Sequence, residues 1–285
     1  MMPAAPTALP TDLAAKYAAL ADRLRPALAE GLIVAFSGGV DSSFLLWAAE
    51  QARRENGGRL LAVTAVSASL AQAEKEDARR FAELVGVDHR WEESGEVSNP
   101  AYLRNDASRC YHCKTELFRL SRDLAARLDY RFLAYGYNAS DRGDIRPGHR
   151  AARENEVLAP LDDAQLTKDD IRALLRAFGL PFADKPASPC LSSRLMQGVA
   201  VTPQKLKDVD EMEALARRGG LRVFRMRLHE EGGIRFLRLE VAPDEMAAAL
   251  ALRDQLVPAA QARGYRWLAL DLAGYRLGGA SPRRL

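Results

Sequence analysis

The sequence predicts an open α/β domain built on a parallel sheet, followed by a smaller α+β domain. Three observations carry that prediction. Short, wholly apolar runs, LIVAF at 32–36 and LLAVTAV at 60–66, alternate with helical stretches, and RFLAYGYN supplies a third strand. Three prolines, Pro181, Pro186 and Pro189, then fall within LPFADKPASPC and mark a connector. Beyond them, LRVFRMRLHEEGGIRFLRLEV reads as two alternating runs around Glu-Glu-Gly-Gly, a hairpin. The expected division is an open α/β domain over 1–180, a cysteine-bearing connector over 181–202, and a small α+β domain over 203–285.

Each element has its own reason. Residues 12–29 repeat apolar side chains at helical spacing, and the helix after the first strand is expected to open at Ser42 or Ser43 and run to about Arg54. Charged amphipathic patterns place further helices at 72–85, 114–128, 203–218 and 243–262, and YRWLALDL closes the chain as a strand. The 41 basic and 38 acidic side chains nearly cancel, so the overall charge calls for neither a nucleic-acid backbone nor an anionic membrane. Asp12, Lys16, Asp22 and Arg23 interrupt the alanine-rich start before a signal-peptide core can form. No apolar run approaches the roughly 20 residues that span a bilayer. Three cysteines are too few for a secreted disulfide framework. A soluble cytoplasmic protein is expected.

The first strand breaks into SGGVDSS, Ser37 to Ser43, where a helix N-terminus can face an anion off the carboxyl end of a parallel strand. Gly38 and Gly39 allow a tight turn and close main-chain approach. Val40 follows them, and Ser37, Ser42 and Ser43 add hydroxyl donors for phosphate oxygens. Asp41 is unwelcome beside bare phosphate and suits a Mg²⁺ ion bridging phosphates. A plain turn with a serine cap is the bland alternative, and the absence of GxxxxGK[ST] excludes a Walker loop. The stretch resembles the PP-loop of the ATP pyrophosphatase superfamily, which cleaves ATP between the α and β phosphates; the resemblance implies an adenine nucleotide alpha hydrolase-like fold.

Cys110 and Cys113 lie in SRCYHCK, and Cys190 lies in SPCLSSR. Such a pair suits zinc, a redox dithiol or two ligands of an iron-sulfur cluster, while three unrelated thiols remain the bland reading. The four histidines, His89, His112, His149 and His229, show no zinc-hydrolase spacing. In the hairpin, alternation puts Arg225, Arg227 and His229 on one face and Phe224, Met226 and Leu228 on the other, expected to be core. Two neighbouring arginines can clamp a phosphate, and a solvated basic strand is the alternative.

RCYHCK with ELF, GYNASDRGDIRPG, KPASPCLSSR, FRMR and DLAGYR, in that order and over nearly the whole chain, are similar to the motifs of the LarE family. The resemblance implies an ATP-dependent sulfur transferase of nickel-pincer nucleotide biosynthesis. Such an enzyme adenylylates the carboxylates of pyridinium-3,5-biscarboxylic acid mononucleotide and converts them to thiocarboxylates for the cofactor of lactate racemase and related enzymes. It further implies Lys114 and Cys190 as catalytic residues and Glu213, Arg225 and Arg227 as substrate-side residues. In some members the cysteine matching Cys190 gives up its own sulfur. In others three cysteines hold a [4Fe-4S] cluster carrying an extra sulfide, and the three filled positions here, Cys110, Cys113 and Cys190, favour that version. Asn138, Asp141 and Arg146 follow the third strand and are expected near ATP or metal; Arg194 and Asp271 to Arg276 match family motifs without an assigned role.

The chain departs from the family at Leu195 to Gly198, where an apolar-Pro-Tyr-Gly run is usual, and at Ser140, where the first of two aspartates is usual. The expected cofactors are ATP, Mg²⁺ and the cluster. The expected partners are the mononucleotide, a sulfide or cysteine-derived sulfur donor and further copies of the chain in a homo-oligomer, with no nucleic acid and no membrane. The principal alternative is a PP-loop tRNA thiolation enzyme with a [4Fe-4S] cluster, which would show a broad basic surface or an added RNA-binding module. An ammonia-using synthetase leaves the cysteines unexplained, and a non-catalytic nucleotide-binding module would bind ATP without releasing AMP.

Overall fold

The computed structural model describes residues 9–142 and 147–276. In chain order the elements are α1 (Thr11–Glu30), β1 (Leu32–Ala35), α2 (Val40–Asn56), β2 (Leu60–Val66), α3 (Gln72–Val85), β3 (His89–Glu93), α4 (Pro100–Leu103), α5 (Arg109–Leu128) and β4 (Phe132–Tyr135). Then follow α6 (Pro147–Glu154), α7 (Pro160–Asp163), α8 (Lys168–Ala177), α9 (Pro203–Arg218), β5 (Phe224–Glu231), β6 (Ile234–Val241), α10 (Met246–Ala251), α11 (Arg253–Ala262) and β7 (Trp267–Leu270).

The chain divides into two compact units. Of the described residues, the first comprises 9–66, 74–94, 110–142 and 147–188; the second comprises 67–73, 95–109 and 189–276. The division is therefore not one cut near residue 180. The segments leaving β2 and β3 at their carboxyl ends cross to the second unit, and Cys190 belongs to that unit rather than to a free connector.

The first unit is α/β, with an all-parallel sheet in the order β3-β2-β1-β4. Leu32, Ile33 and Val34 of β1 are all wholly buried. Leu32 and Val34 pack with α1, α2, α3 and α8, whereas Ile33 and Ala35 pack with residues of α5 and α6. An unbroken apolar strand is what a sheet covered by helices on both faces requires. The strand β3, HRWEE, was not foreseen, because its charged, half-exposed side chains carry no apolar pattern; pairing of Ala62 to Val66 with His89 to Glu93 makes it a strand.

The second unit holds a smaller mixed sheet in the order β5-β6-β7, with β5 and β6 antiparallel and β7 parallel to β6. Met226 faces Leu239 and Leu228 faces Leu237 across the hairpin, and all four are buried. The opposite face is buried as well: Arg225 is 6% and Arg227 4% exposed, which corrects both a single core face and a solvated basic strand. The helix expected over 243–262 is interrupted at Leu252 into α10 and α11. Among the described residues, no helix is long and apolar enough to cross a membrane.

Candidate active site

In a sheet ordered β3-β2-β1-β4, the direction of winding reverses between β1 and β4, and the crevice beyond their carboxyl ends is where such sheets receive ligands. The glycine-serine turn leaves β1 there, and Gly136 to Asn138 leave β4. The two are in close contact: a Cβ on Gly136 would lie 2.8 Å from the Ser42 nitrogen. Gly38 has φ +70°, and a Cβ on it would lie 3.0 Å from the Ala78 Cβ of α3.

α2 begins at Val40 with Gly39 as its N-cap, two to three residues before the expected serine opening, because the extended Gly39 turns the chain without help from a capping side chain. Its first N–H groups therefore point out of the turn without a side-chain cap, as an anion site requires. Ser37 and Ser42 hydroxyls lie 3.1 Å apart, and the Ser42 hydroxyl donates to the Gly39 carbonyl at 3.2 Å, so these two close the turn on itself.

Three buried polar atoms here, Asp41 Oδ1 and Ser43 Oγ at the start of α2 and Asn138 Nδ2 after β4, have no hydrogen-bond partner among the described residues. Each such atom costs about 1–3 kcal/mol when no ligand completes it. Asn138 is held in place: its Oδ1 accepts the Ser140 N–H at 3.0 Å and its own backbone N–H donates to Asp141 Oδ2 at 3.3 Å. Asp141 is thus a capping residue for the turn after β4, and Arg146 lies outside the described residues. Burial raises the Asp41 pKa, Lys168 with its Nζ 3.6 Å from Oδ2 opposes it, and the charge of Asp141 adds to the rise. A carboxylate so placed gains from a divalent cation on its free oxygen.

Lys185 is a functional candidate the sequence reading missed. Its Nζ donates to the Gly38 carbonyl at 2.9 Å and to Glu74 Oε2 at 2.8 Å, and lies 2.8 Å from Asp77 Oδ2, which ties the glycine turn to α3. Burial alone would push Asp77 up; the ammonium of Lys185 and the guanidinium of Arg80 outweigh it and hold the carboxyl below its ordinary value. Only its place before Pro186 in a family-like motif could have drawn attention to it.

Cys110 and Cys113 lie in the first turn of α5, which starts at Arg109 rather than at 114, so the pair shares one face of a helix. Cys110 is exposed and Cys113 half-buried. Lys114 follows, half-buried, with its stem against Gly148 of α6, where a Cβ would lie 3.0 Å from the lysine Cγ. Cys190, half-buried, belongs to the second unit and caps a 3-10 turn, Leu191 to Arg194. A helical Cys-x-x-Cys pair fits two ligands of one cluster. Yet among the described residues no three His, Cys, Asp or Glu side chains gather as a metal site.

In the second unit, Arg227 pairs with Glu240 at 3.0 Å, and Arg225 lies over the Tyr275 ring at 5.0 Å. Burial lowers the pKa of both arginines, and the Arg194 guanidinium adds to it. Both remain charged at neutral pH. Glu213 is 2% exposed, and both its oxygens are taken by Arg194. Burial would raise its pKa; the Arg194 charge and hydrogen bonds, the Met226 N–H and Arg225 hold it below the usual range.

Similarity to known proteins was assessed against this geometry. No family model matches the chain. It is 37% identical over 248 residues, 86% of this chain and 90% of the relative, to the uncharacterized protein slr1717 of Synechocystis sp.. It is 30% identical over 271 residues, 95% of this chain and 94% of the relative, to the pyridinium-3,5-bisthiocarboxylic acid mononucleotide synthase of Lactiplantibacillus plantarum. A third relative, the uncharacterized protein MJ0830 of Methanocaldococcus jannaschii, is 23% identical over 177 residues, 61% of this chain.

Proposed function

The chain belongs to the LarE family, and from that premise we propose that it is an ATP-dependent sulfur transferase acting on pyridinium-3,5-biscarboxylic acid mononucleotide in nickel-pincer cofactor biosynthesis. The observation that carries the ATP half of this reading is the uncapped N-terminus of α2 beside the buried, partnerless Asp41 Oδ1. A carboxylate is a poor electrophile. Its oxygen attacks the α phosphorus of ATP, the bond to the bridging oxygen breaks, and pyrophosphate departs with the electron pair. A sulfur nucleophile then adds to the acyl carbon, and AMP leaves.

In this reading the α2 N–H groups and the Ser43 hydroxyl bind the pyrophosphate, and Asn138 Nδ2 donates to the nucleotide. Mg²⁺ held by Asp41 supplies neutralisation of the phosphate charge. Lys114 steadies the adenylate, and Arg225 and Arg227 grip the phosphate of the mononucleotide. Cys190 bears the sulfur, either as its own thiol or as one of three thiolates, with Cys110 and Cys113, that would hold a [4Fe-4S] cluster, whose open iron would supply a bound sulfide.

Purification without oxygen followed by iron and sulfide analysis tests the cluster form. About four irons per chain, lost on replacing any one of the cysteines by alanine, are expected. Absence of iron after reconstitution, together with loss of H₂S from Cys190 during turnover, would assign the sulfur to the cysteine itself. The ATP half is tested by pyrophosphate exchange into ATP, expected only with the mononucleotide present; exchange without it, or none at all, contradicts adenylylation of that substrate.

A further inference from the structure

Arg194 is 1% exposed, an unusual place for a guanidinium, and a buried charge must be both paired and hydrogen-bonded. Its Nε and Nη2 meet the two oxygens of Glu213, each at 3.0 Å. The remaining nitrogen, Nη1, donates to the carbonyl of Pro189, to that of Cys190 at 3.2 Å and to the Ser193 hydroxyl at 3.3 Å. Glu213 is fixed in turn by the Met226 N–H of β5 at 3.1 Å. An unbroken series of contacts thus runs from β5 through Glu213 and Arg194 to the backbone of Cys190.

The rest of the turn is tied in the same manner. The Ser193 N–H donates to the Cys190 carbonyl at 2.9 Å, and the Leu191 N–H donates to the Ser69 carbonyl at 2.8 Å. Arg109 takes the Ser192 carbonyl at 2.7 Å, and Arg227 takes the Ser193 carbonyl at 2.9 Å. Three arginines thus grip the backbone of a turn whose cysteine is left half-buried. A surface cysteine without a task would need no such support, whereas a thiol that must meet an acyl carbon at about 3–3.5 Å gains from a fixed origin.

We propose that Arg194 is the positioning residue of Cys190, and that Glu213 serves the reaction by orienting Arg194 rather than by touching the mononucleotide. The proposal rests on the reading of Cys190 as the sulfur-bearing residue, and it changes the part expected of Glu213. The full-length chain is compared with Glu213→Gln, Arg194→Lys and Arg194→Met. Hydrogen exchange of the peptide covering 189–195 is expected to accelerate in Glu213→Gln and Arg194→Met, while the peptide covering α2 is unchanged. Thiocarboxylate formation is expected to fall in kcat by about 100-fold in Arg194→Met, less in Arg194→Lys, with KM for the mononucleotide and for MgATP unchanged.

Unaltered exchange at 189–195 in Glu213→Gln overturns the proposal, as does a raised KM for the mononucleotide with kcat intact, which would return Glu213 to substrate contact. Should Arg194→Met fail to fold, the Glu213→Gln and Arg194→Lys comparison decides alone. A wild-type chain that forms no thiocarboxylate would sink the proposed function, and with it the part in the reaction assigned to Arg194 and Glu213, while faster exchange at 189–195 in the variants would still show that these two residues hold the Cys190 turn.

Discussion

Asp41 is, at the scale of one residue, a half-buried carboxylate kept at a cost to the fold. Its pKa is raised above the unfolded value, chiefly by burial, so stability is lost as the pH rises from the unfolded towards the folded value and stays lost above it. Asp41→Asn is therefore expected to keep or raise the thermal midpoint at neutral pH while weakening MgATP binding at least about tenfold, the scale of one lost charge-assisted contact. Calorimetry with and without MgATP checks both signs; lowered stability with unchanged MgATP affinity would make Asp41 structural. At this scale the strand-to-helix turn at SGGVDSS was legible from its glycines and serines. Lys185 was not, since its partners on α3 and in the glycine turn lie more than a hundred positions away. The serines also divided in a way no spacing reveals: Ser37 and Ser42 close the turn, and the buried Ser43 hydroxyl has no partner among the described residues.

Among the elements, β4 and α2 meet where Gly136 leaves no room for a side chain. Gly136→Ala forces a Cβ to within 2.8 Å of the Ser42 nitrogen and is expected to cost about 1–3 kcal/mol of stability and to weaken ATP binding with it. Denaturant unfolding reads the first and nucleotide titration the second. Strand β3 supplies a pH test. Burial pushes His89 down to about 4, and its Nε2 lies 2.8 Å from the Thr64 hydroxyl. A folded pKa below the unfolded value of about 6.5 means that the neutral ring contributes stability above pH 6.5 that is lost as the pH falls towards 4. His89→Gln is expected to flatten acid destabilisation across that window, measured by urea midpoints; an unchanged slope would contradict a buried neutral ring. Elements with a strong period, α1, β1, β2, α3, α9 and the hairpin, were legible within one or two residues. β3 was not, because neighbouring β2, rather than its own side chains, makes it a strand. Period two reports only alternation, so it could not show that Arg225 and Arg227 are buried or that Arg227 meets Glu240 and the Ser193 carbonyl.

For the whole molecule, the sequence announced a large α/β body and a smaller one, but a linear reading cannot show a chain that crosses between bodies at 67–73 and 95–109. The same crossing assigns Cys110 and Cys113 to one unit and Cys190 to the other. The measurement that tests the central claim most directly is mass spectrometry of the mononucleotide after incubation with the anaerobically purified chain, MgATP and a sulfide source. The account predicts exchange of one carboxylate oxygen for sulfur, then a second, with AMP and pyrophosphate released in step with each exchange. ATP consumed with the mononucleotide unaltered, or sulfur appearing instead in tRNA offered in the same mixture, would contradict it.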